Sequence, residues 1–195
     1  MRCLTLANHL RMNREEITFV SRNHPGNLNH LIVKEGFDCI SLLNPKLNVN
    51  QKNKVVLEND DYSKWLGVSE IEDAREALQK LKRKPNFIIV DHYALGKKWE
   101  KYVRTYVKKI MVIDDLANRS HDCDLILDQN WFENMNSRYN KLVSDDCVKL
   151  MGPNYVLLRE EFSNKKIHKK NNQINRIFIF FGGSDPHEIT LMALK

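Results

Sequence analysis

A chain of 195 residues that is 42% hydrophobic and 29% charged is long enough for one α/β domain, or one plus a fragment of a second, and too long to depend on disulfides or a metal for its core. A mean hydropathy of -0.51, without an apolar run of about 18 residues or more, excludes a bilayer-spanning segment and implies a soluble, cytoplasmic protein with no membrane partner. The net charge of +6 invites a nucleic-acid reading, but the lysines are dispersed; no nucleic-acid partner is expected, and the charge suits an anionic small substrate.

Met1 to Met12 predicts a helix, with Cys3, Leu6, Ala7 and Leu10 on one face and Arg2, Asn8 and Arg11 on the other. It has neither a capping residue nor a preceding strand, which is unusual in an α/β domain. Ile17–Val20 reads as a strand, Leu28–Glu35 as a helix closed by Gly36, and Asp38–Leu43 as a second strand. Residues 44–61 are Asn-rich and weakly patterned, a loop or insertion. Ser69 and Glu72 have capping-box spacing before a helix to about Arg83, with Pro85 ending it. Phe87–Val90, Ile110–Ile113, Leu125–Leu127 and Ile177–Phe181 are continuous apolar runs, as parallel strands covered on both faces require. Trp99, Val103, Tyr106 and Val107 supply a helical period between the first two of these runs. Alternating strands and helices predict a doubly wound α/β sheet.

Each apolar run leads into a polar cluster: Asp91-His92-Tyr93, Asp114-Asp115, Asp128-Gln129-Asn130 and Gly182-Gly183-Ser184-Asp185. Ligands of open α/β sheets bind beyond the carboxyl ends of the strands, so four such clusters predict a site on that edge. The bland alternatives are that Asp91 and Asp115 cap helices or loops and that His92 is structural. Asp114, Asp115 and Asp128 could together hold magnesium, although no further acidic residue has an evident ligand role and no metal is expected. After Gly182 and Gly183, Asp185 is placed to be a helix N-cap, with Pro186 and Glu188 in the first turn, a geometry that suits a phosphate or simply a tight turn. Cysteines 3, 39, 123 and 147 form no C-x-x-C pair and read as ordinary reduced thiols.

IIVDHYAL, IDDLANRSHDCDLILDQN, LMGPNYVLLREEF and FFGGSDP, in this order, with MRCLTLA and SRNHPGNL before them, resemble the UDP-2,4-diacetamido-2,4,6-trideoxy-altropyranose hydrolases of pseudaminic acid biosynthesis. The resemblance implies a glycosyltransferase-B-type fold of two Rossmann-like domains. The implied activity is removal of UDP from the sugar by water attack at the anomeric carbon, with inversion and without metal or cofactor, in a monomer. It implies that the N-terminal domain, residues 1–163, holds the sugar. Residues 164–172, with Lys165, Lys166, Lys169 and Lys170, are a linker, and 173–195 begin the UDP-binding domain. Tyr93 would lie beside the sugar, supported by Asp91. Arg2, His92, Asp115, Asn130 and Arg159 would be cleft residues, and Gly182, Gly183, Ser184 and Asp185 a loop near the diphosphate. Alternatives in other classes are a glycosyltransferase of the same fold and a non-catalytic remnant.

Members of that family begin with a strand and a G-x-G-H-x-M-R-C loop whose histidine is the base for water. This chain begins at Met-Arg-Cys, so the resemblance implies that the first strand and the base lie upstream of Met1. Without that strand two interior sheet edges go unpaired, and a few buried side chains at about 1.5 to 3 kcal/mol each are a large share of a stability of about 5 to 15 kcal/mol. The chain is therefore expected to be marginal in stability and to release no UDP by itself.

Overall fold

The computed structural model describes residues 1–44, 62–163, 177–180, 185 and 188–194. The chain divides into two compact units, Met1–Arg159 and Glu160–Lys195.

The first unit opens with helix α1 (Arg2–Met12), then β1 (Thr18–Arg22), α2 (Asn29–Lys34) and β2 (Asp38–Leu42). Next come α3 (Ser63–Leu66), α4 (Glu70–Lys80), β3 (Phe87–Val90), α5 (Lys97–Arg104), β4 (Lys109–Ile113), β5 (Leu125–Asp128) and β6 (Val148–Met151). All strand pairs are parallel, as the unbroken apolar runs predict. The architecture is α/β, consistent with a Rossmann-like fold.

The parallel strands do not form one continuous sheet. They make two ladders, β1-β2 and β3-β4-β5-β6. Strand β6 is an addition to the predicted set.

Three apolar clusters hold this unit. The largest joins Ala74 of α4 and Trp99 and Val103 of α5 to Val90, Ile110, Val112 and Ile126 of the strands. Leu4 and Ala7 of α1 pack with Ile32, Phe37 and Phe19 on the β1-β2 side. Cys3 packs instead on Met111, Ile113 and Leu127 of the larger sheet. The face of α1 is thus rotated from the expected one: Leu4, Thr5 and Ala7 are buried and Arg2 is drawn inward, because Arg2 finds carboxylates there. The capping box at Ser69 forms as predicted, Ser69 Oγ accepting from the Glu72 amide and Glu72 accepting from the Ser69 amide.

Two predicted helices are shorter than their apolar period suggests. Helix α4 ends at Lys80, because Leu81 is already extended ahead of Pro85. Helix α5 ends at Arg104 and leaves Tyr106 exposed.

In the second unit, α6 (Glu160–Ser163) and α7 (Ile189–Ala193) are described. Ile177–Phe180, predicted as a strand, has no regular structure and is exposed; no neighbouring strand pairs with it among the described residues. Asp185 is not the N-cap. That position falls to Glu188, although the Asp185 carboxylate still accepts from the Ile189 and Thr190 amides. Gly182, Gly183, Ser184, Pro186, the Lys-rich linker and residues 45–61 lie outside the described residues.

Candidate functional site

The ends of β3, β4 and β5 bring five of the predicted residues together. Asp91 follows β3 directly, Asp115 stands two residues beyond β4, and Asn130 two beyond β5. Arg2, at the start of α1, reaches across to them. Its Nη2 donates to Asp91 Oδ1 at 2.7 Å and its Nε contacts both Asp91 oxygens at 3.1–3.2 Å, while Nη1 lies 3.4 Å from Asp115 Oδ2. Asn130 Nδ2 donates to the same Asp115 oxygen at 3.2 Å. Cys3 Sγ donates to Asp91 Oδ2 at 3.0 Å. Asp91 therefore caps no helix; its partners are the guanidinium and the thiol.

Electrostatics follow from this geometry. Burial pushes Asp91 up, but the hydrogen bonds from Arg2 and Cys3 outweigh it and hold the carboxyl below its usual value. Burial, with Asp91 beside it, pushes the Cys3 thiol up to about 12, so Cys3 stays a protonated donor. The Tyr93 phenol is raised by burial and by its hydrogen bond to Asp115. The N-terminal ammonium also acts on Asp91 and Cys3, so two cations and two carboxylates meet in the cluster.

Beside Tyr93 lies an aromatic group that nothing in the sequence pattern marks. The Tyr62 and Tyr93 rings are 5.1 Å apart, Trp65 is 5.0 Å from Tyr62 and 6.1 Å from Tyr93, and Trp65 is 40% exposed. Edge-to-face and tilted rings of this kind form a platform for an apolar ligand face.

Under the cluster is a second, internal network. The β4-β5 register sets Ile113 beside Leu127, so Asp114 comes next to Asp128. Tyr139 Oη donates to Asp114 Oδ2 at 2.9 Å and lies 3.5 Å from Asp128 Oδ2. Arg119 pairs with Asp114 at 2.7 Å and Arg138 with Asp128 at 3.4 Å. Asp114 and Asp128 are buried here while Asp115 turns to Arg2. The three thus do not converge as magnesium ligands, and no cluster of metal-ligating side chains occurs among the described residues.

His92 is structural in its bonding. Nδ1 accepts from the Ala94 amide at 3.1 Å, which leaves the proton of the neutral ring on Nε2. Burial lowers its pKa, so the ring is neutral at pH 7. A ring whose acceptor nitrogen is already bonded is a poor general base. His24 Nδ1 is 2.9 Å from Asn44 Nδ2. Arg159 closes the first unit and is exposed.

The fold and site thus define an α/β protein with a charged, polar sheet edge beside an aromatic group of which Trp65 is exposed. No family model matches the chain. Over 172 residues, 82% of the chain, it is 27% identical to an uncharacterized protein of Methanocaldococcus jannaschii. Over 105 residues, 53% of the chain, it is 31% identical to the UDP-2,4-diacetamido-2,4,6-trideoxy-beta-L-altropyranose hydrolase of Campylobacter jejuni. The matched stretches cover only 36% and 37% of those two proteins, so the likeness is to part of each. No helix among the described residues is long and apolar enough to cross a membrane.

Proposed function

We propose that the first unit is the sugar-binding part of a nucleotide-sugar hydrolase, one that frees UDP from UDP-2,4-diacetamido-2,4,6-trideoxy-beta-L-altropyranose by water attack at the anomeric carbon with inversion. The observation that carries this reading is the Arg2–Asp91–Asp115–Asn130 cluster with Tyr93 and its aromatic neighbours at one sheet edge. The carboxylate oxygens of Asp91 and Asp115 can accept from sugar hydroxyl and amide donors. The rings of Trp65 and Tyr62 offer contact to deoxy and acetamido methyl groups. The similarity to a protein named as such a hydrolase supports the same substrate class. The chain acts as a monomer, in the cytoplasm, and the glycine loop 182–185 serves the diphosphate.

In this reading the chain binds sugar but does not turn it over, because His92 is committed to the Ala94 amide. Titration with the UDP-sugar, followed by tryptophan fluorescence, is expected to saturate, and UDP alone at the same concentrations is expected to leave the signal unchanged. Asp115→Asn weakens sugar binding about tenfold, the loss of a hydrogen bond to a charged group at about 1.5 kcal/mol. Equal responses to UDP and UDP-sugar would overturn the assignment of this edge. Release of UDP that disappears in His92→Asn would overturn the absence of turnover.

A further inference from the structure

Cys123 and Cys147 take no part in the site described above. Cys123 precedes β5 by two residues and Cys147 immediately precedes β6. The parallel ladder sets Leu125 beside Val148, and the Val148 amide donates to the Asp124 carbonyl at 2.9 Å. Neighbouring strand starts therefore carry the two cysteines together. Their sulfurs are 3.6 Å apart, and each residue is 5% exposed within the main apolar cluster. A disulfide bond is about 2.05 Å long, so the sulfurs need to close by about 1.5 Å.

We propose that Cys123 and Cys147 form a reversible dithiol–disulfide couple, oxidised by peroxide, that ties the start of β5 to the start of β6. Either sulfur can be the donor of the contact between them. One thiolate of the pair attacks a peroxide oxygen, the O–O bond breaks, hydroxide leaves and takes up a proton, and that cysteine becomes a sulfenic acid. The other thiol then attacks that sulfur and loses its proton, the S–O bond breaks, and the oxygen departs as water. In sum, two thiols and one hydrogen peroxide give one disulfide and two waters.

Cys3 and Cys39 provide an internal contrast. Burial raises both, and Cys3 additionally bonds to Asp91, so neither competes as a thiolate. The segment closed by the cross-link carries Asp128, Asn130, Arg138 and Tyr139, the β5 side of the cluster and of its supporting network.

The test is to treat the full chain with hydrogen peroxide, block remaining thiols with N-ethylmaleimide, digest without reduction and map peptides by mass spectrometry. The expected product is an intramolecular Cys123–Cys147 peptide two hydrogens lighter than its parts, with Cys3 and Cys39 alkylated. Dithiothreitol should restore four alkylated cysteines. The oxidised chain should melt about 5 to 10 °C higher than the reduced one. In Cys123→Ala and in Cys147→Ala, dimedone should label the remaining cysteine of the pair. Alkylation of both cysteines after peroxide excess, a sulfinic acid on either without cross-link, or a cross-link only between molecules would overturn the couple. Absence of dimedone label in both variants would overturn the sulfenic acid route. The wild-type map decides the matter even if a variant fails to fold.

Discussion

Arg2 is the residue whose removal tests the geometry of the cluster most directly. Its guanidinium is the shared partner of Asp91 and Asp115, with side chains 20%, 25% and 17% exposed respectively. Arg2→Ala leaves both carboxylates partly buried and deprived of their cation. Hydrogen bonds to charged groups are worth about 1.5 to 3 kcal/mol, and partial exposure places this cluster near about 2 kcal/mol. For a chain of this size that corresponds to a fall in melting temperature of roughly 4 to 8 °C at pH 7. The pH dependence has a definite sign. In the wild type Asp91 is held below its ordinary value, so its contribution is present above roughly pH 4 and is lost as pH falls through the lowered value. In the variant the Cys3 thiol and the N-terminal ammonium still favour the Asp91 anion, but with the guanidinium gone burial weighs more, so the carboxyl takes up a proton at higher pH than in the wild type and the penalty shrinks as the solution is acidified. Arg2→Lys should recover less than half, since an ammonium lacks the fork that spans two carboxylates. Melting followed by circular dichroism from neutral to acid pH measures all three. A variant within one degree of wild type at pH 7, or a deficit that does not change with pH, would refute the clamp.

Three further outcomes follow from the packing. Arg22 is buried against Asp73 at 2.6 Å and Glu76 at 2.9 Å; Arg22→Met should cost about 3 to 5 kcal/mol in chemical denaturation, and adding Asp73→Leu should recover much of it. A double variant no better than the single would contradict the pairing. Asp124, pushed up by burial but held down to about 2 by Lys109, the Ile110 amide and Arg104, contributes about 2 kcal/mol above pH 4 that disappears as pH falls toward 2. Asp124→Asn should flatten the acid limb of the stability profile, and an unchanged limb would count against it. Gly152 has φ of +89°, and a Cβ there would come within 2.8 Å of Met135 Sδ. Gly152→Ala should lower stability by about 1 to 3 kcal/mol, read from the urea midpoint, and a neutral effect would show that the turn is not constrained.

The strands that proved legible were those with an uninterrupted apolar run. Phe87–Val90 matches its prediction residue for residue, and β4 and β5 each differ by one. Strand β6 was not legible because Val-Lys-Leu-Met at the sheet edge leaves Val148 exposed and carries a lysine. The converse error is Ile177–Phe180, where the apolar run is present but no pairing partner is described. For the site, Asp91, Asp115 and Asn130 were readable as polar residues at strand ends. Their clamp was not, since Arg2 lies 89 and 113 positions from its two carboxylates and chain spacing holds no record of such a contact. Tyr62 and Trp65 were hidden for a related reason. They join Tyr93 only through the placement of the short helix α3.

The division of the sheet explains why two arginines carry so much of this structure. Backbone ladders unite β1 with β2, and β3 through β6 with one another, but among the described residues no ladder joins the two sets. Side chains make the connection instead. One turn of α1 sends Leu4 and Ala7 to the β1-β2 cluster and Cys3 to the larger sheet, while Arg2 ties that turn to Asp91. Helix α4 does the same, with Asp73 holding Arg22 at the end of β1 and Ala74 packed into the main core. Side-chain contacts open more readily than a continuous hydrogen-bonded ladder, so β1-β2 is the part that should exchange its amide hydrogens first. Because Arg2 belongs both to that junction and to the cluster with Asp91 and Asp115, loosening the junction should also weaken the cluster. Ligand binding at Asp91 and Asp115 should in turn slow exchange in β1 and β2.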